Sequence, residues 1–366
     1  MQILGRICAV LGLVLVLQAC GGGGGTRQVG TPKAVQATSY LNFKNVGLTP
    51  VNLPVMGDAR GYGDFSRSGN LDLFTAELTY DVNRPLSQAT PATFKFWKLM
   101  SNGSYAEDME KLSSRAGCIH PRKALVADFN GDAIPDVFVA CHGYDNTGFP
   151  GEKSRLLLSQ PNGTFQNLEV LDVGYWHGAT AFDVNGDGHV DLMLLNNNEA
   201  GRGITYLNDG RGNFTREAGN RFPESINSRG YYTIEAIDVN ADGKQDLLLG
   251  GLEFSNSPTL VLLNPGNGNF SRVTSATLPQ DSNFGIVLDF AVTSPGSKPV
   301  LWTMRTQHDN SYVGYALHKV ELSSLTGARV ASSASGNWLR WIIPTTINGT
   351  AYIASDKAGD RFQFAY

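Results

Sequence analysis

An all-β chain built from repeated four-stranded antiparallel units is the architecture this sequence predicts, and three observations predict it. An acidic turn phrase recurs at near-constant spacing, each copy runs into a short apolar segment of strand length, and no long stretch has helical periodicity. The phrase reads Asp128-Phe-Asn130-Gly-Asp132-Ala-Ile-Pro-Asp136, then Asp183-Val-Asn185-Gly-Asp187-Gly-His-Val-Asp191, then Asp238-Val-Asn240-Ala-Asp242-Gly-Lys-Gln-Asp246. A sparser copy, Asp64-Phe-Ser66-Arg-Ser68-Gly-Asn-Leu-Asp72, precedes them. First residues at 64, 128, 183 and 238 give steps of 64, 55 and 55 residues, a period that marks a repeat fold. A fifth unit without the acidic turn runs from Val287 through Asp289 to Trp302.

Within a unit, strand a precedes the phrase and strand b follows it, as in Asp191-Leu-Met-Leu-Leu-Asn196 and Asp246-Leu-Leu-Leu-Gly250. Strands c and d follow as a glycine-containing hairpin that ends in an aromatic. The segments Leu156 to Phe165, Ile204 to Phe214 and Leu260 to Phe270 align with one another in this respect. Four-stranded antiparallel units arranged radially form a β-propeller. The chain closes with Trp338 to Pro344, Gly349 to Ser355 and Arg361 to Tyr366, three strands and no fourth. The missing strand is expected at the other end, in Tyr40 to Pro54, so that an N-terminal strand completes the last blade and leaves no free edge. Six blades are expected, or seven if the stretch from Asp72 to Asp128 hides a hairpin beyond the ordinary c and d strands of Phe94 to Tyr105.

Oxygen side chains at positions one, three, five and nine of a tight loop are the donors a hard cation takes, and Ca2+ binds six to eight oxygens. The expected calcium ligands are Asp128, Asn130, Asp132 and Asp136; Asp183, Asn185, Asp187 and Asp191; and Asp238, Asn240, Asp242 and Asp246. Asp64 and Asp72 form a fourth site with only two carboxylates. Glycine at position six, Gly188 or Gly243, suits a sharp turn, and Ala133 replaces it in the first of the three. Position twelve is Leu194 or Leu249 rather than Glu, which excludes an EF-hand. The competing reading is that Asp, Asn and Gly are there only as turn formers.

The phrase D-x-N-x-D-G-x-x-D-L followed by L-x-N-x-G-x-G-x-F resembles the FG-GAP and VCBS repeats of integrin alpha heads and many bacterial surface proteins. The resemblance covers residues 38 to 366, with its strongest motifs at 128, 183 and 238. It implies a calcium-bearing propeller, commonly of seven blades, and names no ligand or reaction.

Residues 1–19 read as a signal peptide, with Arg6 before an apolar run from Ile7 to Leu17. Leu17-Gln18-Ala19-Cys20 resembles the bacterial lipoprotein signal-peptidase box, which implies a lipid on Cys20 and attachment to a membrane through it. Gly at 21 rather than Asp favours the outer membrane, facing either the periplasm or the surface. Residues 20–37 follow as a glycine-rich tether, and 38–366 as the propeller. Only 17% of the residues are charged and the net charge is -4, which excludes the basic face that nucleic-acid binding needs. Cys118 and Cys141 bracket one acidic turn on neighbouring strands, and an oxidising compartment predicts a disulfide between them, the alternative being two buried thiols.

Function is expected on the face opposite the acidic turns, where strand a begins and strand b ends. Asp58, Arg122, His177 and Tyr232 each stand six residues before a turn, with His120, Trp176 and Tyr231 beside them. After strand b come His142, Tyr144, Asp145, Asn196 to Asn198, Glu253 and His308. This collar suits sugar or carboxylate recognition, and a His or Tyr near an Arg could abstract a proton. Arg122, His142, His177, Tyr231 and Tyr232 are the candidates for catalysis. No serine nucleophile elbow, phosphate loop, zinc spacing or dinucleotide fingerprint is present. Three classes remain: a binding module for a protein or glycan, an enzyme resembling propeller lyases that act on acidic polysaccharide, and a purely structural envelope protein.

Overall fold

The computed structural model describes residues 58–366 other than 80, 82, 147, 199–202, 294–298, 308–311, 348, 349, 356–360 and 364–366. The expected signal peptide, Cys20, tether and closing strand lie outside these residues, as does His308. Each acidic phrase is the turn of a hairpin. The residue that ends it, Asp72, Asp136, Asp191 or Asp246, opens the second strand and pairs with Gly63, Ala127, Phe182 or Ile237 before the turn.

Blade one is β1 (Ala59–Gly63), β2 (Asp72–Ala76), β3 (Phe94–Leu99) and β4 (Tyr105–Glu107). Blade two is β5 (Pro121–Ala127), β6 (Asp136–Cys141), β7 (Glu152–Ser159) and β8 (Phe165–Gly174). Blade three is β9 (Trp176–Phe182), β10 (Asp191–Asn196), β11 (Gly203–Asn208) and β12 (Phe214–Arg216). Blade four is β13 (Tyr231–Ile237), β14 (Asp246–Gly251), β15 (Leu260–Leu262) and β16 (Ala276–Thr277). Blade five is β17 (Ile286–Thr293), β18 (Val300–Gln307), β19 (Val313–Glu321) and β20 (Thr326–Ser333). A sixth sheet holds β21 (Ile342–Ile347), β22 (Thr350–Ser355) and β23 (Arg361–Gln363). All pairings in these sheets are antiparallel.

The expectation of six four-stranded blades is therefore corrected: five have four strands, and the sixth sheet has three among the described residues. Among the described residues no seventh sheet lies between Asp72 and Asp128, where β3 and β4 are the ordinary c and d strands.

Second strands read as unbroken apolar runs because both of their faces are covered. Side chains alternate across a strand, so Val137, Val139 and Cys141 of β6 pack with blade one, around Phe74, Phe94 and Phe96. Phe138 and Ala140 of the same strand pack with blade three, around Leu192 and Leu194. In β10 the alternation repeats, with Met193 and Leu195 joining the core shared with blade four. Blades four and five meet through Leu248, Val261, Phe290 and Val292. The three-stranded sheet packs on blade five through Ile342 and Ile353 and on blade one through Trp341 and Ile343, which meet Tyr62 and Leu73.

Candidate functional site

The acidic turns and the channel mouth lie at opposite ends of the first strands. In each turn the position-one carboxylate accepts backbone N–H groups from the loop it opens. Asp183 takes Gly186 N at 2.7 Å, Asp187 N at 3.1 Å and Gly188 N at 2.9 Å, and Asp128 does the same with Gly131, Asp132 and Ala133. Positions four and six both require positive φ: Gly131 and Ala133, Gly186 and Gly188, Ala241 and Gly243, and in blade one Arg67 and Gly69. The position-nine carboxylates are buried and bridge two strands. Asp191 accepts Val184 N at 3.0 Å and Asn208 N at 2.8 Å, and Asp136 and Asp246 have the equivalent partners.

The glycine-rich hairpins lock these turns to the next blade. Asn208 accepts from Gly210 N and Gly212 N and donates its side-chain amide to Phe129 O at 2.8 Å, in the turn of the preceding blade. Asn264 accepts from Gly266 N and Gly268 N in the same way. At Gly268 (φ +60) a Cβ would stand 2.0 Å from Val184 O, so nothing larger fits. Arg67 makes the same connection in blade one, donating to Gln160 O at 2.8 Å.

These turns fit the implied calcium by donor chemistry, since Asp, Asn and Asp place hard oxygens at an exposed tip. Burial, reinforced by neighbouring carboxylates, pushes Asp136 up to about 7 and Asp191 and Asp246 up to about 6. A cation at the tip would relieve that repulsion.

At the other end a cavity of about 80 Å3 is lined from blades one to five and from the segment just before β21, by residues that include Asp58, Arg122, His177, Tyr232, Asp289 and Arg340. That volume is room for roughly five to eight waters. The four equivalent positions expected at the mouth thus converge. His177 Nδ1 donates to Tyr232 O at 3.0 Å, and the two rings lie 4.4 Å apart. Burial pushes the Tyr312 hydroxyl up to about 12, with the nearby positive charge of Arg122 acting in the opposite direction. The His142 ring lies tilted against Tyr175 at 3.5 Å and meets His177 edge-on at 5.0 Å, just outside the lining. Tyr231 and Trp176 turn the other way into the blade cores, because each is one residue out of phase with its mouth-facing neighbour.

Charges in the lining are engaged with one another. Lys123 Nζ meets Glu235 at 2.7 Å, Arg340 pairs with Asp58, and the Arg60 guanidinium lies 3.2 Å from the centre of the Trp341 ring. Asp289 accepts Ile342 N at 2.7 Å. The sequence reading missed Arg60, Lys123, Glu235 and Arg340; counting back from the turns could have found the first three, while Arg340 precedes a sheet without an acidic turn. Glu253, expected in the collar, is instead paired with the buried Arg305 at 2.7 Å.

Burial and the nearby Arg122 hold the His120 imidazole down to about 3, and burial also holds His142 and His177 well below 6.5. These rings are uncharged at neutral pH. Cys118 and Cys141 form the expected disulfide, with Cα atoms 6.0 Å apart. It ties together the two ends of the β5–β6 hairpin next to His120 and His142.

The FG-GAP-like repeat family matches residues 128–194 and 183–249. This chain carries FG-GAP-like repeats. Each matched segment runs from the acidic turn of one blade into the second strand of the next, from Asp128 to Leu194 in β10 and from Asp183 to Leu249 in β14. Among curated proteins none matches the sequence. Among solved structures, the chain is similar to the Dos1 propeller, at 9% identity and a TM-score of 0.37, over 78% of this chain and 63% of that one. It is also similar to the rhamnogalacturonan lyase PL11 of Bacillus licheniformis, at 12% identity and a TM-score of 0.38, over 87% of this chain and 60% of that one. The chain thus spans less than two thirds of either structure, and neither protein's ligand carries over to it.

Proposed function

We propose that this chain is a calcium-stabilised propeller, anchored to the outer membrane of the bacterial envelope through a lipid on Cys20, that binds a protein or glycan partner at its channel mouth. The observation that supports this reading is the convergence of Asp58, Arg122, His177 and Tyr232, one from each of four blades, on one cavity. Around it the connecting loops of the same face expose Leu86 and Phe149.

The lyase alternative needs a base of useful strength. His177 is held well below 6.5 by burial and Arg122, so it gains little by taking a proton, and the small cavity leaves no room for a sugar within the channel. Binding is the better supported of the two. The test is a glycan-array and pull-down screen with the fragment starting at Thr31, followed by Arg122→Ala. Loss of a charged contact should weaken capture by about tenfold or more. Equal capture by wild type, Arg122→Ala and Tyr232→Ala sinks the assignment of the mouth as the binding site. Separately, Cys20→Ser should release the protein from membranes, and continued sedimentation with them refutes the anchor.

A further inference from the structure

Outside the acidic turns, three ligand-bearing side chains converge at the top of blade two. His120 precedes β5, His142 follows β6, and Asp145 stands three residues further on. One ligand atom from each lies within 4.8 Å of the other two. The two Nδ1 atoms are 3.1 Å apart, close to the edge of about 3.3 Å that a tetrahedron with metal–nitrogen bonds of about 2.0–2.1 Å requires. We propose that His120, His142 and Asp145 form a binding site for a borderline divalent transition-metal ion such as zinc, distinct from the calcium turns on the opposite face.

Donor chemistry separates the two kinds of site. Imidazole nitrogens suit zinc and its neighbours in the first transition row, whereas calcium takes oxygen. A triad of two imidazoles and one carboxylate leaves a fourth position for water or a ligand. His120 and His142 are buried and Asp145 is exposed, so an ion has a route in from solvent.

The surroundings hold the triad in place. Backbone bonds at 2.9 Å join His142 N to His120 O, and the disulfide clamps the adjoining residues. Glu152 accepts Ile119 N, His120 N and Gly143 N at 2.8 to 2.9 Å, which fixes both flanks. The Tyr175 hydroxyl donates to Asp145 Oδ1 at 2.5 Å, the kind of outer-shell bond that orients a ligating carboxylate. Cys118, Cys141 and Glu152 also converge within 4.8 Å, but the disulfide removes both thiolates as ligands.

The experiment is a zinc titration of the full chain, non-reduced and saturated with calcium, against a chromogenic chelator, with Co2+ spectra in parallel. One equivalent of zinc is expected at this site, lost in His142→Ala and weakened in Asp145→Asn. Tyr175→Phe, a positioning variant, should weaken it by about tenfold or more. Cobalt should give the intense visible bands of a four-coordinate site, and these should vanish in His142→Ala. Asp145 is exposed, so Asp145→Asn tests the site even if His142→Ala fails to fold. Absence of stoichiometric binding overturns the proposal, as does zinc binding that Asp145→Asn and Tyr175→Phe leave unchanged, which would place the ion on other groups of the chain.

Discussion

On one face of the ring four loops repeat the same nine-residue turn; on the other, each blade contributes a different side chain to a shared mouth. Asp64, Asp128, Asp183 and Asp238 do the same job four times, holding the N–H groups of their own turns. Asp58, Arg122, His177 and Tyr232 occupy equivalent positions and share no chemistry. Repetition is the mark of geometry that every blade needs, and divergence at equivalent positions is where a repeat fold can acquire function. The faces should therefore respond differently to substitution: stability lost on the turn face, recognition lost on the mouth face.

The largest effect is expected at a position-nine carboxylate. Replacing Asp191 with Ala strands the buried N–H groups of Val184 and Asn208, at a cost on the order of 2–4 kcal/mol. Urea denaturation should show this with calcium present or absent, because the bridge belongs to the fold. If the loss occurred only in calcium, Asp191 would be a ligand first and a bridge second, and the contrast between the faces would have to be redrawn.

Chelation tests the outer positions of the same turns. Wild type should melt lower in chelator and recover with calcium, since an ion bound only by the folded state adds its binding energy to stability. Asp187→Asn should blunt the response without removing it, as the neighbouring turns remain. An unchanged melting curve removes calcium from the account and leaves Asp and Asn as turn formers.

The mouth face has its own brace. Reducing Cys118–Cys141, which closes a loop with a sequence separation of 23, should cost about 3 kcal/mol. Loss of zinc binding should accompany it if the hairpin ends then part.

Most of the turn face could be read from the chain, because its partners are contiguous: a phrase of nine residues contains its own hydrogen bonds, and the Asn-x-Gly-x-Gly hairpin contains the lock on the next blade. Even there, the sequence reading placed the special backbone at position six alone. The mouth was legible only as a set of positions, counted back from each turn. Lys123 and Glu235 meet across 112 residues, and nothing local in either segment indicates the other. The alternation that turns Tyr232 to the mouth sends Tyr231 to the core, and a one-residue uncertainty in register decides which is which. The completion of the sheet β21–β23 by Tyr40 to Pro54, expected from the sequence, falls on residues outside those the structure describes.

A smaller effect, of opposite sign, is expected at position six. Ala133 holds φ 65 where the other turns have glycine, and Ala241 holds φ 60 at position four. An L-residue with a Cβ is strained there, so Ala133→Gly and Ala241→Gly should each stabilise by about 1 kcal/mol, read as a higher urea midpoint. Destabilisation by both would mean that the Cβ atoms make contacts worth more than the backbone strain.

The smallest effect belongs to blade five, which lacks the acidic turn. His318 Nε2 meets Asp281 Oδ2 at 2.9 Å, while burial and the nearby Arg305 lower its pKa below 6.5, with Arg329 acting in the same direction. The unfolded chain takes up this proton near 6.5 and the folded chain only at lower pH. Between those values the unfolded state binds more protons, so this imidazole makes stability fall as pH falls. The stability of wild type relative to His318→Gln should shrink from pH 7 towards pH 5 in paired urea titrations. Growth of that difference would show that the Asp281 carboxylate outweighs burial, and that blade five holds a charged pair where the mouth holds neutral rings.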